Sequence, residues 1–249
     1  MFPNRVSRLI IDGVSNLHNW YNEFQNEEDI TDTDKVFTGF IEECFKAKEA
    51  CPLISIKNSS IKSSDELKSY IYGFLETLKD DTAPIDLEDS YYIPRRSIVA
   101  YNIVTMIGEP KNGWLRLATY LALLLESEDH YTSGPYFDSY VANKLQAFTY
   151  DALITIKYND NWKTGLEAPV HGLRQIQNYT KSKPELSVLL SRYLIKRVFE
   201  QASWSIPTTH IFHPQYYPQS PRVKTSEPML VISTTWDPVC PLISAKKSA

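Results

Sequence analysis

Apolar residues recur at intervals of three and four along much of this chain, and that spacing predicts helices. Val36, Phe37, Phe40, Ile41 and Cys44 form one such stripe, predicting a helix over 33–46. Leu67, Tyr70, Ile71, Phe74, Leu75 and Leu78 form a second, and Ser63 with Glu66 has the spacing of a capping box in front of it. Gly73 inside that stripe weakens the pattern only slightly. Further helices are predicted over 95–107, 113–125, 136–157 and 184–200, with a weaker segment over 172–179. Gly134-Pro135 marks a break before the long one, and Pro184 suits a first helical turn. The acidic stretch 80–89 and the proline-rich stretch 207–221 read as irregular.

Only two segments read as strands. Residues 5–11 are rich in Val6, Leu9, Ile10 and Ile11 and stop at the turn signal Asp12-Gly13. Residues 229–233, Met-Leu-Val-Ile-Ser, form a short apolar run of the kind that is buried in a sheet. Two short strands thus bracket a long, mostly helical middle. Two strands alone do not make a self-sufficient parallel sheet. Val6, Leu9, Ile10, Leu230 and Ile232 are therefore expected to be partly exposed, and self-association through the incomplete sheet is expected with them.

Composition narrows the classes. A 43% hydrophobic fraction over 249 residues can bury a sizeable core. The net charge of -4 and the lack of a Lys/Arg stripe speak against a nucleic-acid partner. Arg95-Arg96 stands isolated and reads as a solvated helix start. The apolar run 115–125 contains Arg116 and is too short to span a membrane. Three cysteines without a CxxC or a histidine cluster speak against zinc. Cys44 and Cys51 are placed either to form a short disulfide or to remain as two reduced, partly buried thiols. Asn58-Ser-Ser and Asn178-Tyr-Thr match the glycosylation pattern, which is short enough to recur by chance.

The chain ends carry a resemblance. "MFPNRVSRLIIDGV" at 1–14, "HNWY" at 18–21, "DTDKVFTGFIEEC" at 32–44 and "EPMLVISTTWDPVCPLISAKKSA" at 227–249 are the phrases that carry it. They resemble the tripeptidyl-aminopeptidase-like and prolyl-aminopeptidase-like serine exopeptidases of the α/β-hydrolase superfamily. The resemblance implies an α/β fold: a partial α/β-hydrolase, mostly helical cap, bracketed by two strands of an incomplete parallel sheet. Residues 1–19 and 226–249 would belong to the hydrolase core, and 20–225 would form the cap inserted between two of its strands. It implies a peptidase whose substrate is a short peptide with a free N-terminus, and it implies no cofactor. Asp237, on the loop after the second strand, falls on the acid of the catalytic triad. Taken without the phrase around it, an Asp before a Pro reads as an ordinary turn initiator.

Two departures from the family pattern limit the functional reading. No GxSxG elbow occurs in the 249 residues, and the family's serine is expected upstream of Met1. The family's histidine is expected downstream of Ala249. His18, His130, His171, His210 and His213 share no spacing with a serine elbow and read as surface or packing residues. His210 and His213 have a spacing that could bind a metal weakly, but no third ligand accompanies them. A carboxylate by itself neither attacks a peptide bond nor removes a serine proton. The chain alone is therefore expected to be inactive, with a non-catalytic binding or structural remnant as the alternative. Glu42 and Glu43 could meet a peptide ammonium group, but a solvated helix face is the simpler reading.

Overall fold

The computed structural model describes residues 5–22, 27–56, 61–78, 82–83, 93–126, 144–160, 187–190, 204 and 225–248. They are mostly helical, with a small parallel pair of strands. The chain divides into two compact units, one of residues 1–32, 150–187 and 194–249, the other of residues 33–149 and 188–193.

The second unit is helical. Its helices are α2 (Thr33–Ala47), α3 (Ser64–Thr77), α4 (Arg95–Ile107) and α5 (Pro110–Glu126), with a two-residue antiparallel ladder between β2 (Thr82–Ala83) and β3 (Ile93–Pro94). The predicted stripes face inward. Phe37, Phe40 and Ile41 of α2, Leu67, Ile71 and Leu75 of α3, and Leu117, Leu121 and Leu124 of α5 are all buried. Burying each such side chain stabilises the fold by roughly 1.5–3 kcal/mol. The Phe37 ring stacks on Tyr72 at 5.7 Å, and Phe40 meets Trp114 edge-on at 5.8 Å. Burial and the Asp34 charge both push the Tyr72 phenol upward.

The helix ends have identifiable causes. The Glu66 amide donates to Ser63 Oγ at 3.1 Å, and Glu66 Oε2 accepts from the Lys62 amide at 2.7 Å, so the capping box forms with its return bond one residue early. Helix α2 ends at Lys48, whose φ of 49° lies in the left-handed region. Just beyond it the disulfide Cys44–Cys51 closes, with Cα atoms 5.3 Å apart, which decides between the two thiol states the sequence left open.

One expectation fails here. Arg96 is 4% exposed rather than solvated. Its guanidinium donates to the Leu75 carbonyl at 3.1 Å, to Glu76 Oε1 at 2.7 Å and to the Val188 carbonyl at 3.4 Å. A cation at the C-terminal end of α3 satisfies one carbonyl, that of Leu75, in the last turn of the helix. The described part of the predicted 184–200 helix, residues 187–190, is a turn. Its Val188 amide donates to Asp34 Oδ2 at 2.8 Å and its carbonyl accepts from Arg96, so both backbone groups go to side chains. The predicted segment over 172–179 and the stretch 207–221 lie outside the described residues.

The first unit holds the sheet. Strand β1 (Ile10–Asp12) pairs in parallel with β4 (Leu230–Ile232), Ile10 opposite Leu230 and Asp12 opposite Ile232. Both strands are shorter than predicted, because each has regular pairing only where the other runs beside it. Gly13, at φ 65°, ends β1, and its amide still donates to the Ile232 carbonyl at 3.3 Å. Left-handed backbone at that point favours glycine. Ile10 is 64% exposed and Leu230 54%, as expected for a pair without neighbouring strands among the described residues. The same unit holds α1 (Leu17–Asn22), a short 3-10 turn (Glu27–Ile30), the C-terminal part of α6 (Lys144–Asp160), and α7 (Leu242–Ser248). The described part of the long predicted helix starts at Lys144 and runs three residues beyond Lys157. Its end is clamped by tryptophans: Trp20 Nε1 donates to Asp160 at 3.0 Å, and Trp204 Nε1 to Asn159 at 2.9 Å.

Candidate functional site

In a parallel pair, the two carboxyl ends lie on the same side, and loops that leave them come together. The loop leaving β4 carries Asp237, and the segment leaving β1 carries Gly13, Ser15 and Asn16. The two approach closely. A Cβ added to Gly13 would lie 3.9 Å from the Cys240 Cβ, and Ser15 Oγ lies 3.8 Å from Cys240 Sγ.

Asp237 is half-buried and organises its own loop. Its Oδ1 accepts from the Val239 amide at 2.9 Å and from the Cys240 amide at 2.7 Å. This is the turn-forming habit of an Asp that folds the following backbone onto its side chain. The same two bonds fix the direction of the carboxylate. Pro238 beside it is buried, and Trp236 before it is 58% exposed. Ser233 Oγ, at the end of β4, is buried with no hydrogen-bond partner among the described residues.

Cys240 is the free cysteine of the described residues. Burial pushes its thiol up, the Ser15 hydroxyl pulls it down, and the Asp29 and Asp237 charges push it up again, for a net rise. A thiol held in its protonated form is a poor nucleophile.

The remaining sequence candidates fall on other parts of the chain. Glu42 and Glu43 are exposed on α2, and Glu43 pairs with Lys46 at 2.7 Å on the helix surface. His18 lies in α1, whereas His130, His171, His210 and His213 lie outside the described residues, as do both glycosylation patterns. Among the described residues no group of three His, Cys, Asp or Glu could hold a metal ion, and no helix is long and apolar enough to cross a membrane.

Sequence reasoning missed Glu28. It is 7% exposed, and its carboxylate accepts from Asn16, Ser244 and Lys247. No local signal marks it. It sits in an acidic run that reads as surface, and its partners on α7 lie more than two hundred residues away.

No family model, no curated protein and no solved structure matches this chain.

Proposed function

We propose that the chain is the cap-and-acid section of a serine hydrolase of the α/β-hydrolase type, acting in its full-length form as an aminopeptidase or tripeptidyl-peptidase. Residues 1–19 and 226–249 belong to the hydrolase core in this reading, and 20–225 to the cap. Asp237 is the triad acid. The observation that supports this is its placement and geometry. It lies just past the carboxyl end of a parallel strand, and two amides hold its Oδ1 while Oδ2 keeps capacity for an imidazole N–H. A carboxylate so oriented selects the tautomer of a histidine and stabilises its positive form as a serine hydroxyl gives up its proton. The serine then attacks the peptide carbonyl, the amine leaves with the proton, and water releases the acyl group. In this reading the chain supplies only the acid of the triad, and it is expected to turn nothing over by itself.

The test compares Asp237→Asn with the unaltered full-length enzyme on aminoacyl and tripeptidyl chromogenic amides. Asn keeps the turn but carries no charge. The expected loss is about 10⁴-fold in kcat with KM little changed, since the acid acts in the transition state. A folded variant with near-normal kcat would remove Asp237 from the triad and leave it as a turn former.

A second reading, a non-catalytic binding or structural protein that associates with its own copies through the sheet, is favoured by one observation. Leu9, Ile10, Leu230 and Ile232 are all exposed on a two-stranded parallel pair. Sedimentation velocity decides it: a concentration-dependent dimer supports it, and a monomer at all concentrations excludes it.

A further inference from the structure

The loop that carries Asp237 runs directly into α7, and α7 is anchored by a group the proposed chemistry does not use. A carboxylate is rarely buried unless it is paired. Glu28 is buried, and it is paired several times over. Its Oε1 accepts from Ser244 Oγ at 2.8 Å, its two oxygens lie 3.3 and 3.5 Å from Asn16 Nδ2, and Oε2 forms an ion pair with Lys247 Nζ. Ser244 and Lys247 lie three residues apart on α7, on one side of that helix. Asn16 lies on the segment that leaves β1. One carboxylate thus joins the chain leaving each of the two parallel strands.

We propose that Glu28 is a positioning residue for Asp237. Through Ser244 and Lys247 it holds α7, and α7 holds the turn over 238–241. That turn presents the Val239 and Cys240 amides to the Asp237 carboxylate. Two lesser contacts act in the same direction: Ser248 Oγ donates to the Ser15 carbonyl at 3.3 Å, and Ser15 meets Cys240. The role as a catalytic support rests on Asp237 being the triad acid, but the mechanical coupling does not.

Amide hydrogen exchange on the 249-residue chain tests the coupling. The Val239 and Cys240 amides report the Asp237 turn, and the Leu230 and Gly13 amides report the β1–β4 ladder. Glu28→Gln keeps an acceptor for Ser244 but removes the charge facing Lys247. Exchange at Val239 and Cys240 is expected to rise about tenfold, while Leu230 and Gly13 stay within about twofold. An unchanged rate at Val239 and Cys240, or an equal rise at all four amides, overturns the proposal. If Glu28→Gln does not fold, Lys247→Met removes the half-exposed partner instead, and the same ratio between the two pairs of amides decides. In the full-length enzyme Glu28→Gln is expected to lower kcat with little change in KM. Selective exchange in the chain, combined with an active Asp237→Asn enzyme, would reject the triad reading while keeping the coupling.

Discussion

The carbonyl oxygen of Met106 fills the space that a side chain on Gly113 would need: a Cβ built there would lie 2.1 Å from it. The end of α4 and the start of α5 pack at that point, and Trp114 Nε1 donates to the Ile107 carbonyl at 3.0 Å beside it. Gly113→Ala is therefore expected to destabilise the helical unit by about 3 kcal/mol, because backbone must move to admit the methyl group. Gly73, in α3, is the opposite case. It is exposed and nothing lies within 4 Å of an added Cβ. Gly73→Ala is expected to stabilise by about 1 kcal/mol, through helix propensity alone. Thermal denaturation of both variants checks the pair. A Gly113→Ala protein melting with the wild type would show that the α4–α5 joint is loose.

The Cys44–Cys51 bond closes a short loop across the left-handed Lys48. Chain-entropy reasoning gives a loop of that length a contribution of about 2.5 kcal/mol. Cys44→Ser with Cys51→Ser, or reduction of the wild type, is expected to lower the denaturation midpoint by a matching amount. Thiol titration in non-reducing denaturant should find one reactive group, Cys240, and three after reduction. In the native state Cys240 should label slowly at neutral pH and faster as pH rises, since burial holds its thiol above the ordinary range. Three thiols before reduction would exclude the disulfide.

Glu28 supplies an acid-sensitive contact. Burial alone would raise its carboxyl, but the hydrogen bonds from Lys247 and Ser244, the Lys247 charge and the Asn16 amide outweigh burial and lower it below 4.5. A carboxyl with a lowered folded value adds stability that is present above its unfolded value and is lost as pH falls through the folded one. The sheet unit is therefore expected to lose stability as pH falls through and below the ordinary carboxyl range, and Glu28→Gln should flatten that acid limb. Urea midpoints measured across this range give the comparison. Parallel slopes for wild type and variant would place the acid sensitivity elsewhere.

The helical unit was the most legible part of the chain. The stripes at Phe37, Phe40 and Ile41 and at Leu67, Ile71 and Leu75 are buried as their spacing predicts. The Arg95–Ile107 helix matches its predicted bounds, and the box at Ser63 and Glu66 forms. These features depend on neighbours three or four residues away, so the local pattern carries them. Arg96 was misread because its partners are separated from it by 20, 21 and 92 residues. From its immediate surroundings, nothing distinguishes a guanidinium that caps another helix from one in water.

The sequence by itself determined the helices α2, α3, α4 and α5, where the strand after residue 228 lies, and that Asp237 comes next to it on a loop. Hydrophobic period and turn chemistry are local, and they act before any long-range contact forms. Only the tertiary structure decided that the two strands, expected to be parallel, pair directly with Ile10 opposite Leu230, which puts Gly13 against Cys240. It alone decided that Cys44 and Cys51 are joined, and that Glu28 is buried among Asn16, Ser244 and Lys247. The physical reason lies in what burial demands. A carboxylate removed from water must find donors wherever the fold brings them, and here they come from chain 12, 216 and 219 residues away. No spacing rule within the sequence encodes those distances; the packing of the first unit creates them.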